Sequence, residues 1–189
     1  MFRLGRQVRL LKRTKEILEE AGIEPKRVPL KLLGPIIESG SLEEDDILQD
    51  KWAALLANAA ADVEKVHPGF PEVLKQLSAN EVLYLRTLHF VIKDHKENAR
   101  FEGVNYEPRN EKEDFREMVR VVAKQLKGLE LSQVEMLLGK AVGNGNLERL
   151  GLMYRTVARE ALTQYGEDFV DACEAPKSFH NACKKSSKE

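Results

Sequence analysis

Two cysteines, Cys173 and Cys183, are all that this 189-residue chain contains. That is too few for the disulfide framework with which small secreted domains supplement thin cores, so a reducing, cytoplasmic setting is expected. Aromatic residues are scarce, at 6%, and no apolar run approaches the ~20 residues of a membrane-spanning helix. The basic start MFRLGRQVRLLKRTK is followed by neither an apolar stretch nor a small-residue cleavage site, which argues against a secretory signal. Phosphate-cradling patterns are missing as well. There is no G-x-x-x-x-G-K-[ST] and no G-x-G-x-x-G, and Gly143-Asn144-Gly145 is too short to serve instead. No cofactor or small-molecule substrate is therefore expected. An excess of one charge is also lacking, and a net charge of −1 offers no global attraction to nucleic acid.

What is present is an ordinary globular composition, 42% hydrophobic and 32% charged. Its length suits one large or two small domains, at ~100–150 residues each. The charge is unevenly placed. Arg3, Arg6, Arg9, Lys12, Arg13, Lys15, Lys26, Arg27 and Lys31 crowd the start, and Glu38, Glu43, Glu44, Asp45, Asp46 and Asp50 follow. Either these two surfaces face each other, or both face water. A rival reading makes Arg6, Arg9 and Arg13 a contact for nucleic acid or, less well, for a membrane surface.

Leu4, Val8, Leu11 and Leu18 recur at helical spacing, with Arg6, Arg9 and Arg13 on another face. That predicts an amphipathic helix ending near Gly22, with the leucine row as its core face or as a dimer seam. Two prolines make Ile23 to Pro29 a connector, and Pro35 after Gly34 is expected to begin a new helical turn. Three serine–glutamate pairs have the spacing of capping boxes: Ser41 with Glu44, Ser78 with Glu81, and Ser132 with Glu135. In each, hydroxyl and carboxylate satisfy one another's orphan backbone amides, so helices are predicted to open there. Leu77 with Val82 and Leu131 with Met136 would staple the second and third. Asp94 to Pro108 is polar and without periodicity, which predicts a loop. Phe115, Met118, Val119, Val122 and Leu126 restore helical spacing before Gly128.

The stretch Leu131 to Cys173 has an informative order. A short capped helix is followed by Gly143-Asn144-Gly145, the helix NLERL, and LMYRTVAREAL, whose residues favour a small hairpin. LTQYGEDFVDAC then begins a last helix with Thr163 as its cap. Helix, turn, helix, hairpin, helix is the layout of a winged helix. The expected architecture is thus mainly α: a helical region over 1–77, then a winged-helix-like domain over 78–174. A helical insertion lies around 94–130, and 175–189 is a flexible tail. Used on DNA, such a domain would offer Lys140, Asn144, Asn146 and Arg149 on or near the second helix, and Arg155 and Arg159 on the wing. Against this, 79–172 carries no basic excess, and glycines interrupt the recognition element.

Two segments resemble a known family. VPLKLLGPIIESGSLEEDDILQDKWAALLANAA with HPGFPEVLKQLS, and NLERLGLM with LTQYGEDFVDAC, are similar to the abortive infection alpha (Abi-alpha) family of bacterial proteins. The resemblance implies a bacterial or phage-related origin and a role in abortive infection, a defence against phage. It carries over no catalytic residues. On physical grounds the first segment is structural. Trp52, Leu55, Leu56 and Ala59 make an apolar face, Ala53, Ala54, Ala57 and Ala60 allow close helix approach, and Asn58 suits a role capping a neighbouring chain end. Pro68 and Pro71 make a rigid turn into the Ser78 helix.

Catalysis needs a convergent nucleophile, base and charge stabiliser, and none is recognisable. Glu43, Glu44, Asp45 and Asp46 suit the first turn of a helix better than a metal. His89 and His95 are six apart, which does not put them on one helix face as zinc ligands. Cys173 reads as an apolar core position, and its spacing to His180 and Cys183 matches no zinc finger. The expectation is a non-enzymatic protein acting through a protein partner or a second copy of itself. The alternative is a winged-helix DNA-binding regulator.

Overall fold

The computed structural model describes residues 2–101, 120, 145–155 and 160–176. The fold is mainly helical with one small antiparallel hairpin. It divides into two units, one formed by Met1–Leu77 together with the chain from Asp171 onward, the other by Ser78–Val170.

In the first unit α1 spans Phe2–Ala21, α2 Leu30–Gly40 and α3 Asp46–Ala61. Helix α1 ends as its sequence dictates. Gly22 takes φ +67, and the amides of Gly22 and Ile23 close back on the Glu19 and Leu18 carbonyls at 3.0 and 2.9 Å. The connector that follows is tied down by Lys26, whose amide donates to the Ala60 carbonyl at 2.7 Å. The core centres on α3, where Trp52, Ala53, Leu55, Ala57 and Ala59 are all buried. Its alanines let the neighbouring helices come close. Gly40 of α2 sits against Trp52 and Leu10, where an added Cβ would lie 3.0 Å from Leu10 Cδ2 and 3.2 Å from Trp52 Cβ.

Two expectations need correction here. Helix α2 does not restart at Pro35 but runs through it. The carbonyl deprived of a partner is that of Lys31; Lys31 and Pro35 are both exposed, so solvent satisfies it while Leu32, Ile36 and Gly40 stay buried along one face. Nor does Ser41 cap α3. Its hydroxyl donates to the Glu38 carbonyl at 2.7 Å and so closes α2 instead. The cap is Asp45, whose carboxylate accepts from the Ile47 and Leu48 amides at 2.8 and 3.1 Å. A short 3-10 turn at Val63–Lys65 and α4 at Phe70–Leu74 complete the unit, with a proline opening α4.

Asn58 behaves as its position suggested. Its Nδ2 donates to the Ala172 and Glu174 carbonyls at 2.9 and 2.7 Å, and so caps the end of the last helix. Asn58→Ala removes this donor from both carbonyls. An expected loss of about 2 kcal/mol would be read from urea unfolding; no shift in midpoint would contradict the capping role.

The second unit opens with α5, Ala79–Phe101. Here the capping box forms: the Ser78 amide donates to Glu81 Oε2 at 2.8 Å, and the Glu81 amide to Ser78 Oγ at 3.3 Å. Leu77 and Val82 are both buried. The helix continues through residues 94–101, which corrects the loop expected from Asp94; the rest of that loop, the helix expected at 110–127 apart from the helical Arg120, and the Ser132 box lie outside the described residues. Next come α6 (Asn146–Arg149), β1 (Met153–Arg155), β2 (Glu160–Leu162) and α7 (Gln164–Ala172). Gly151 takes φ +71 to turn the chain out of α6. The strands pair antiparallel, Tyr154 opposite Ala161. Thr163 caps α7, its Oγ1 accepting from the Gly166 amide at 2.9 Å.

Candidate functional site

Helix α1 has three distinct edges. The first is its core edge, formed by Leu10, Thr14, Ile17, Leu18 and Ala21, all buried. Thr14 keeps that edge polar-satisfied by donating to the Leu10 carbonyl at 2.9 Å.

The second edge carries the arginines. Arg6 meets Glu44, Arg9 meets Asp46 at 2.8 Å, and Arg13 meets Asp50 at 3.3 Å. The basic and acidic surfaces therefore face each other within one chain. Their spacing explains it: the arginines recur every three or four residues along α1, beside a carboxylate series at the start of α3. Arg9 is 60% exposed and Asp46 75%, and exposed pairs of this kind contribute only ~0.2–1 kcal/mol each. Beside the ladder lies an open polar cavity of about 310 Å³, lined by Arg9, Lys12, Arg13, Glu16, Gln49 and Asp50. Gln49 is buried and serves the fold, its Nε2 donating to the Glu43 carbonyl at 3.0 Å and also to that of Gly40.

The third edge is the leucine row, for which the sequence left a core face or a dimer seam open. Leu18 is buried, but Leu4, Val8 and Leu11 are 68%, 58% and 50% exposed, so the row as a whole is not the core face. Two apolar rows share this helix, and both satisfy its period. Leu10, Ile17 and Ala21 take the core; the row beginning at Leu4 runs one step round the cylinder and touches the core only at Leu18. The available signal was the second row itself, since one helix face cannot bury both. Three large apolar side chains in succession on one exposed face form a patch of the kind that marks a contact surface.

Of the winged-helix candidates, Asn146 and Arg149 lie side by side on α6. Asn146 links α6 to α5, donating to Glu81 Oε1 at 2.9 Å, while its Oδ1 accepts from Arg149 at 2.6 Å. Arg155 closes β1. Lys140, Asn144 and Arg159 lie outside the described residues. Helix α6 has four residues, about one turn, which leaves little length to lay in a groove.

Groups suited to chemistry are dispersed. Cys173 is buried, and desolvation pushes its thiol up to about 12, with Lys51 opposing and Glu174 adding to the shift; it stays a neutral, packed thiol. His67 accepts from the Gly69 amide at 3.0 Å and shapes the proline turn. Among the described residues no group of three or more His, Cys, Asp or Glu side chains is placed to hold a metal, and no helix is long and apolar enough to cross a membrane.

A family model described as abortive infection alpha matches residues 5–173 of the chain. No curated protein and no solved structure matches it.

Proposed function

We propose, from the premise that this chain belongs to the abortive infection alpha family, that it is a non-enzymatic protein that works in phage defence through protein–protein contacts. The observation that carries this is the exposed row Leu4, Val8 and Leu11 on α1. A helix that holds three large apolar side chains in water, while a second row on the same helix fills the core, has a face to spare for binding. The family match reaches this helix, since it begins at residue 5. The test is phage plating on a protected host that expresses either the natural chain or the triple variant Leu4→Ser, Val8→Ser, Leu11→Ser. These side chains lie outside the core, so far-ultraviolet circular dichroism should be unchanged while protection is lost. Full protection by a folded triple variant would remove the stripe from the function.

A second reading, as a DNA-binding regulator, is supported by the chain order α6, β1, β2, α7, a helix, hairpin and helix in the sequence of the winged-helix layout. Its expected result is a duplex-DNA affinity that falls with salt and vanishes when Arg149, Arg155 and Arg159 are changed to Glu. Absence of binding at low salt would eliminate it.

A further inference from the structure

On the reading that the α1 stripe is a protein contact, we infer that its partner is an apolar groove with an acidic rim, on a different protein. Leu4, Val8 and Leu11 span about 60° of the helix circumference at 100° per residue, and their spacing of four and three is that of the anchors of a helix seated in a groove. What surrounds them names the partner. Residues 1–15 hold Arg3, Arg6, Arg9, Lys12, Arg13 and Lys15 and no acidic residue. Lys15 continues the apolar row, Lys12 borders it, and the side chains are 75% and 76% exposed. Their contacts to Glu19 and Glu16, one turn further on, are 3.5 and 4.0 Å long; pairs so exposed are readily exchanged for others.

A second copy does not fit this surface. Two stripes packed in parallel would bring Lys15 against Lys15 and one cationic border against another, and like charges in juxtaposition are costly. A flat contact of three side chains also falls well short of the ~800 Å² per partner of a stable interface. A groove covers more of the helix, and carboxylates along its rim would meet Lys12 and Lys15 while its floor takes the leucines.

The probe is a synthetic antiparallel two-helix hairpin with leucines lining the groove between its helices and glutamates along the rims, beside a twin with lysines on the rims. Fluorescence anisotropy with the full chain should give at least ~10-fold tighter binding of the glutamate peptide, weakening as salt is raised. The double variant Val8→Ser, Leu11→Ser should lose this preference while keeping its circular dichroism. Equal binding of both peptides, or no binding of the glutamate peptide, overturns the inference. So does a dimer of the chain abolished by the same variant, or capture of the chain by vesicles with one-third anionic lipid through these residues. If the stripe variants lose phage protection yet the peptides are not distinguished, the partner's chemistry is wrong and the contact stands. If protection survives in the stripe variants, the contact itself falls.

Discussion

Gly166→Ala is expected to cost about 3 kcal/mol or more. A Cβ at Gly166 would stand 1.9 Å from the Leu152 carbonyl oxygen, 2.8 Å from its carbon and 3.1 Å from its Cα. All three are backbone atoms, so no rotamer change gives relief. The carbonyl is itself fixed, since it accepts from the Thr163 amide at 3.0 Å, and Leu152 is fully buried. To admit the methyl, α7 would have to slide away from Leu152, breaking the Thr163 cap and lifting Phe169 and Val170 out of the core. Gly166 has no left-handed backbone to justify it; space alone does. Amide exchange across 153–170 should rise steeply in the variant, and a melting temperature within about 2 °C of the natural chain would sink the prediction.

Gly40→Val should come next, at about 2–3 kcal/mol. Here the obstacles are side chains, Leu10 Cδ2 at 3.0 Å and the Trp52 Cβ and Cγ at 3.2 and 3.3 Å. Alanine at this position gains helix propensity, up to about 1 kcal/mol, and asks that Leu10 and Trp52 give by only a few tenths of an ångström, so it should be nearly neutral. Valine adds two further carbons, more than that small give can admit, because Trp52 and Leu10 are themselves buried. Trp52 is the one tryptophan in the chain, so its emission during urea unfolding reports the site directly. Equal midpoints for alanine and valine would show that the α2–α3 contact is looser than its distances imply.

The difference between what was and was not legible in the sequence follows from which interactions are local. Ser78 and Glu81 form their box because both partners lie within one turn, and nothing nearer competes. Ser41 has the same spacing to Glu44, but the Glu38 carbonyl is closer to its hydroxyl, and Asp45 is the better acceptor for the Ile47 and Leu48 amides. Apolar periodicity showed that α1 is a helix, and Gly22 where it stops. It was silent on which of two apolar rows goes inside, since that depends on where α2 and α3 lie. The reach of α5 past Asp94 was hidden for another reason. DHKENAR is rich in residues that favour helices but has no apolar rhythm, and periodicity was the criterion. The small hairpin and the Thr163 cap were readable because β-branched and capping residues act over a few positions. The arginine ladder was readable only as two opposed charge blocks, and its pairing needed the fold.

The return of the chain at Asp171 bears on how this protein is made. Asn58 and Lys51 of α3 close onto Ala172 and Glu174, which the chain reaches only after passing through all of Ser78–Val170. A ribosome delivers the N-terminal side first, so α1 to α4 must wait for their last pieces until the intervening unit has been synthesised. The second unit can be complete before the first is sealed. During translation the first unit is then an unfinished clasp, with Asn58 still lacking its Ala172 and Glu174 acceptors, and a chain cut short before Asp171 would carry the second unit yet leave the first one open.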